Sequence, residues 1–108
     1  KKAERDLIKA AKEGDLATLT RLVEEGVDMN AADGYGWTAL MRAAWGGELD
    51  CLEHLTAKGA NLNVQNTYCK RTALHIAANN NRTSCVASLL KAGADASLED
   101  AHGATALD

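Results

Sequence analysis

Cys51 and His54 stand three residues apart, a spacing that sets two metal-ligating side chains on one face of a helix. A zinc site needs about four ligands and no second pair accompanies them, so the spacing predicts packing, with Cys51 acting as a small buried hydrophobe. Cys85 follows 34 residues after Cys51, which sets the two thiols on neighbouring helices about 8–10 Å apart, too far for a disulfide. His54 and His102 lack a partner pattern and are expected at solvent or in partly buried polar sites, and His75 directly follows Thr72-Ala73-Leu74. No nucleophile, acid or base stands beside an oriented partner, as catalysis requires. Gly34, Gly36 and Gly46-Gly47 are not followed by the Lys-Ser/Thr of a phosphate loop and read as turn glycines. The chemistry-bearing residues therefore predict no enzyme, no cofactor and no metal.

The elements that must carry these residues are small. The chain has 108 residues, 46% apolar and 25% charged, with a net charge of −3, the profile of one globular domain. No apolar run is long enough to span a bilayer, and Lys1-Lys2-Ala3-Glu4-Arg5-Asp6 is no signal-peptide core, so neither membrane insertion nor secretion is expected. Acids outnumber bases and no basic block occurs, which removes nucleic acid as a partner. Three cysteines without a framework spacing predict free thiols in a reducing compartment, the cytoplasm or the nucleus. With no Pro and no Phe, the core must come from Leu, Val, Ile and Ala.

An internal period organises those residues. Thr38-Ala39-Leu40, Thr72-Ala73-Leu74 and Thr105-Ala106-Leu107 recur at offsets of 34 and 33, in step with the pairs Ala10-Ala11, Ala43-Ala44 and Ala77-Ala78 and with Gly26, Gly59 and Gly93. The one extra residue is assigned to 66–71, where it should lengthen a turn. Leu40, Ala43 and Ala44 lie on one helical face, and alanine there lets a neighbouring helix approach closely. Gly14, Gly47 and Asn81 then break a short first helix. A second helix follows in each unit, carrying Leu16, Leu19, Leu22 and Val23, then Leu49, Leu52 and Leu55, then Val86, Leu89 and Leu90, and is stopped by the periodic glycine. Each Thr is placed to cap the helix after it. A helix pair cannot bury its stripe alone, so the pairs must stack in a line.

The stretches Asp33 to Ala44 and Lys70 to Ala78, with Leu55 to Asn63 and Leu89 to Asp95, resemble the ankyrin repeat over nearly the whole chain. The resemblance implies an all-α solenoid of helix-turn-helix units with protruding β-turn fingers, in units of about 1–32, 33–65, 66–99 and a partial 100–108. Two departures stand out: Ala replaces the usual Pro after each Thr, and Lys70 replaces the usual turn Gly. The resemblance also gives His75 a role in tying adjacent turns together. It makes Asn30 and Asn63, each eight residues after a Leu, substrates for asparaginyl hydroxylation or simple loop hydrogen-bonding residues.

All four aromatics, Tyr35, Trp37, Trp45 and Tyr68, fall off the apolar stripes. In proteins of this kind the fingers and first helices line a concave groove that binds partner proteins. Carried over, that groove comprises Lys12, Glu13, Tyr35, Trp37, Arg42, Trp45, Tyr68, Lys70, Arg71, Asn79, Asn80 and His102. Trp37 and Trp45 are expected to turn into it from opposite ends of one helix as a contact platform, against the alternative that they only cover alanine-thinned backbone. Unit 66–99 alone is net positive, with four bases against two acids, so the groove is expected to be locally basic and to take an acidic segment with apolar anchors. The sequence thus predicts a monomeric, non-catalytic protein-interaction module, or alternatively a regulatory or targeting segment of a larger enzyme, channel or scaffold. Leu107 is expected to begin a further helix, leaving Val86, Leu89 and Leu90 partly covered until the array continues past Asp108.

Overall fold

The computed structural model describes residues 2–108, and it arranges six helices in two layers. The inner layer is α1 (Lys2–Glu13), α3 (Ala39–Gly46) and α5 (Ala73–Asn79); the outer layer is α2 (Leu16–Glu24), α4 (Leu49–Ala57) and α6 (Thr83–Ala92). Each inner helix packs on the outer helix that follows it and on the next inner helix, so every unit touches only its neighbours. Fully buried Ala11, Ala43, Ala44 and Ala77 line the inner contacts, and Leu19, Leu52, Leu55, Leu74 and Leu89 fill the space between layers. Among the described residues no helix is long and apolar enough to cross a membrane.

Local signals set the boundaries. Thr38 and Thr72 are extended residues whose hydroxyls accept the N–H of Met41 and His75, capping α3 and α5. Gly47 and Gly93 close α3 and α6 in the left-handed conformation, with φ of 70° and 103°. Asn81, at φ 58°, does the same work after α5. The first unit departs from the short-helix expectation: α1 runs for 12 residues, and Arg5 stands where later units have the capping Thr. In the last unit the Asp108 N–H closes a single turn on the Thr105 carbonyl, and the Thr105 N–H donates to Asp108 Oδ2. Leu89 is fully buried, while Leu90 remains 40% exposed and Val86 is half-buried, so only part of the final stripe is open.

Between the pairs stand three fingers of related design. Asp33 N–H donates to the Trp37 carbonyl, Asn66 N–H to that of Arg71, and Asp100 N–H to that of Ala104. The middle finger is longer by one residue, in the segment where the sequence offset locates the insertion. Gly36 and Gly103 occupy the left-handed position of the outer two fingers, at φ 82° and 78°; in the middle one Lys70 sits there at φ 53°. A left-handed L-residue costs roughly 1–2 kcal/mol, offset in part by the greater unfolded-state freedom of glycine. Lys70→Gly is accordingly expected to stabilise the fold by about 0.5–1 kcal/mol in urea unfolding; unchanged or lower stability would show that the Lys70 backbone carries no strain.

Adjacent units are tied at both edges. Thr67 N–H donates to the Tyr35 carbonyl and Ala101 N–H to that of Cys69, linking finger to finger. At the far edge, Asn30 Oδ1 accepts the N–H of Asn61 (2.7 Å) and Asn63 Oδ1 that of Asp95 (2.9 Å), so both asparagines act as repeat-to-repeat ties. His75 makes the third kind of tie. Its Nδ1 accepts the Thr72 N–H at 3.2 Å, which leaves the proton on Nε2 to be donated to the Ala104 carbonyl at 2.9 Å.

Candidate functional site

The concave side carries two clefts that share a wall. The larger, about 200 Å³, lies between Trp37 and Trp45 of the second unit, Ile76 and Asn79 of α5 with Asn80 at its C-cap, and Asn66, Cys69 and Arg71 of the middle finger. The smaller, about 120 Å³, is bounded by Tyr35 and Tyr68 together with Trp37, Asn66 and Cys69. The tyrosine rings stand 6.0 Å apart at 53°, an aromatic pair across two neighbouring fingers. Of the groove residues read from the sequence, Tyr35, Trp37, Trp45, Tyr68, Arg71, Asn79 and Asn80 come together here.

The others lie elsewhere or act differently. Glu13 lines a separate polar cleft with Asp6, Lys9, Asp15, Thr18 and Arg21, because α1 turns that side chain toward α2 and away from the fingers. Lys12 is exposed on α1 and borders neither concave cleft, and exposed His102 belongs to the third finger, where its N–H donates to Asp100. Lys70 is exposed on the middle finger without lining either cleft. Arg42 stacks 4.2 Å over the Trp37 ring and donates to Asp33 at 3.4 Å, so it braces the groove from behind. Asn66, Cys69 and Ile76 are groove residues that the sequence did not single out. Ile76 could have been found, since it takes the repeat position of Arg42.

The two tryptophans face one cleft but differ in setting. Trp37 is partly buried and packs against the core, and Trp45 is 44% exposed at the end of α3. The expected basic character is reduced by internal pairing. Arg42 is held by Asp33, and Arg71 Nε lies 3.7 Å from Asp100. Arg71 is the only charged residue among those that line the two clefts.

The finger carboxylates titrate low. Burial pushes Asp33 upward, but the N–H groups of Trp37 and Tyr35 and the Arg42 guanidinium outweigh it and hold its carboxyl below the ordinary value. For Asp100 the Ala104 N–H is the chief cause, and burial, the His102 N–H, His75 and Arg71 act in smaller measure, with a net lowering. A carboxyl lowered by folding stabilises above its unfolded pKa, about 3.9, and that stability is lost as pH falls through the folded value. Finger amides 33–37 and 100–104 are therefore expected to lose hydrogen-exchange protection below about pH 4, relative to α3, in Asp33- and Asp100-dependent fashion. Protection that does not change between pH 6 and 3 would oppose this.

The thiols fall into two classes. Burial, reinforced by Glu48 and Asp50, pushes the Cys51 thiol up to about 11, and burial also raises Cys85. Both are inert free thiols, whereas Cys69 is exposed in the clefts. His54 is half-buried with its Nε2 shielded and unpaired. Among the described residues no group of three or more His, Cys, Asp or Glu could hold a metal beside it.

Comparison with known proteins matches this architecture. A family model described as ankyrin repeats (many copies) matches residues 7–56, and one described as ankyrin repeats (3 copies) matches residues 47–108. Ankyrin repeat and SOCS box protein 2 of Rattus norvegicus is 35% identical over 89 residues, covering 82% of this chain and 14% of that protein. E3 ubiquitin-protein ligase hecd-1 of Caenorhabditis elegans is 37% identical over 105 residues, 96% of this chain and 4% of that protein. Palmitoyltransferase Hip14 of Drosophila melanogaster is 32% identical over 102 residues, 94% of this chain and 16% of that protein. The chain thus spans less than a fifth of the length of each of these relatives.

Proposed function

Because the chain belongs to the ankyrin-repeat family, whose repeats are protein-interaction modules, we propose that it binds a partner protein through the double cleft between the middle finger and the inner helices. The carrying observation is the convergence of Trp37, Trp45, Tyr35 and Tyr68 on adjoining concave clefts, because exposed aromatics grouped in this way are the common anchors of protein interfaces. The partner segment is acidic with apolar anchors. Lys70 is exposed on the finger beside the clefts, and Arg71 lines the larger one with its Nε 3.7 Å from Asp100. Free thiols support a reducing compartment, the cytoplasm or nucleus, and the module acts as a monomer.

The test is a quantitative pull-down from cytosol with wild type and Trp45→Ala in parallel, followed by association kinetics on a captured protein. Lys70→Glu is expected to slow association about threefold or more at low salt, with the difference vanishing near 0.5 M salt and the melting temperature little changed. Capture that is equal for wild type and Trp45→Ala would overturn the groove reading. An association rate unaffected by Lys70→Glu would remove the acidic-partner reading.

A second reading is favoured by the relatives: three of them are long proteins, two named as a ligase and a palmitoyltransferase, in which this module is a small segment. In that setting the same groove positions a substrate or docks on the parent chain. Trp45→Ala in the parent would then alter substrate selection or basal activity while the catalytic residues stay intact.

A further inference from the structure

One residue outside the clefts holds both ends of the larger one. Asp15, Glu48 and Arg82 occupy the same repeat position, each at the start of an outer helix, and their main-chain N–H groups donate to the carbonyls of Ala10, Ala43 and Ala77. Their side chains do different work. Asp15 caps its own helix by accepting the Thr18 N–H, and Glu48, whose carboxylate only accepts, has no donor to offer a helix end. The Arg82 side chain makes no cap but reaches back across the junction, where its Nε donates to the Trp45 carbonyl at 3.3 Å. It crosses the end of α3 over Gly47, its Cδ 2.9 Å from where a Cβ on that glycine would stand. The last carbonyls of a helix lack partners within it and favour a cation, and α3 has no basic residue in its last turn. Arg82 therefore ties the end of α3 to the end of α5, through its Nε to Trp45 and through its own N–H to Ala77 at 2.8 Å.

Those two helix ends wall the larger cleft: Trp45 stands on one, and Asn79 with Asn80 on the other. Arg82 itself borders neither concave cleft and lies in a separate hollow with Gly47, Asn81, Thr83, Ser84 and Cys85. We propose, resting on the groove reading above, that Arg82 is a positioning residue for partner binding: it fixes how far Trp45 stands from Asn79 and Asn80 without touching the partner. A side chain of fixed reach holds the cleft at one width, and apparent affinity scales with the fraction of molecules in the binding-competent arrangement. Both clefts described above lie between the second and third units, the junction that carries this arginine. At the junction before it the acidic Glu48 stands in its place.

The experiment turns on one atom. Glutamine Nε2 stands as many bonds from Cα as arginine Nε, so Arg82→Gln keeps a donor for the Trp45 carbonyl without the charge, whereas Arg82→Met keeps the length and loses the donor. The probe is a synthetic peptide taken from a random display library panned on the whole chain and retained only if Trp45→Ala abolishes its binding. Arg82→Met is expected to weaken that peptide about fivefold or more, as the competent fraction falls, and Arg82→Gln to stay within about twofold of wild type. Both variants should melt within about 3 °C of wild type, since the bond is exposed. In protein labelled with fluorotryptophan, the fluorine line of Trp45 should shift or broaden in Arg82→Met while that of Trp37 stays. Equal losses in Arg82→Met and Arg82→Gln would show that the charge meets the partner directly and overturn the proposal, as would an Arg82→Met affinity within about twofold of wild type. A melting temperature or a Trp37 line that moves along with Trp45 also overturns it, because Arg82 is then part of the scaffold. Every retained peptide depends on Trp45, so these results leave the groove reading intact; a library that yields no such peptide overturns both.

Discussion

Replacing Leu52 by alanine is expected to destabilise the fold by about 2–5 kcal/mol, the range for a buried leucine whose cavity cannot collapse. Leu52 is fully buried on α4, the helix that touches α3 within its own unit and both neighbouring outer helices. A domain of this size has about 5–15 kcal/mol in total, so the loss takes a large share. It should also change how the chain unfolds. Units communicate only through nearest-neighbour contacts, so weakening the central one uncouples its two sides. Urea unfolding followed by hydrogen exchange is expected to show α1–α2 and α5–α6 opening separately. Leu16→Ala, at a residue 38% exposed, is the control and should cost well under half as much. A Leu52→Ala loss no greater than the control would mean that α4 does not join the array.

The second large effect separates the two tryptophans. Trp45→Ala is expected to weaken partner binding by about 2 kcal/mol or more, roughly thirtyfold, because an exposed ring on a groove wall is a typical anchor. Its stability cost should stay below about 1 kcal/mol, since nearly half of the residue is already in water. Trp37→Ala should behave differently. That ring packs against the core and carries the Arg42 guanidinium at 4.2 Å, so its removal is expected to cost about 2–3 kcal/mol of stability as well as affinity. Melting and affinity measured on both variants decide the matter. Strong unfolding in both, with normal binding by the folded remainder, would return the aromatics to the scaffold.

What the sequence made legible is what is encoded locally. Thr38 and Thr72 cap the helices after them, and Gly47, Asn81 and Gly93 close helices in the left-handed conformation. Those roles depend on residues within a turn of each other, and the position of the inserted residue in the middle finger followed from the repeat offset. Thr-Ala-Leu carries the same local signal at Thr105, where a single turn forms. The pairing of charges within the groove was not legible for another reason. A net positive unit says nothing of which arginine meets which carboxylate, and the Arg71 to Asp100 pair crosses from one unit to the next. Asn66 was invisible for a related reason: its side chain resembles any turn asparagine until the fold shows it walling both clefts.

The single main-chain bonds that join successive fingers have a mechanical meaning. Thr67 to Tyr35 and Ala101 to Cys69 are the main-chain links along the finger edge, whereas the helical layers meet through continuous side-chain packing. The array therefore behaves as a ribbon with one stiff margin and one compliant margin. Load applied across it peels the fingers apart first, and small rotations at each junction add along the row, so curvature is the soft coordinate of the molecule. A filament of such units would bend readily toward or away from its finger edge and resist shear between its helices.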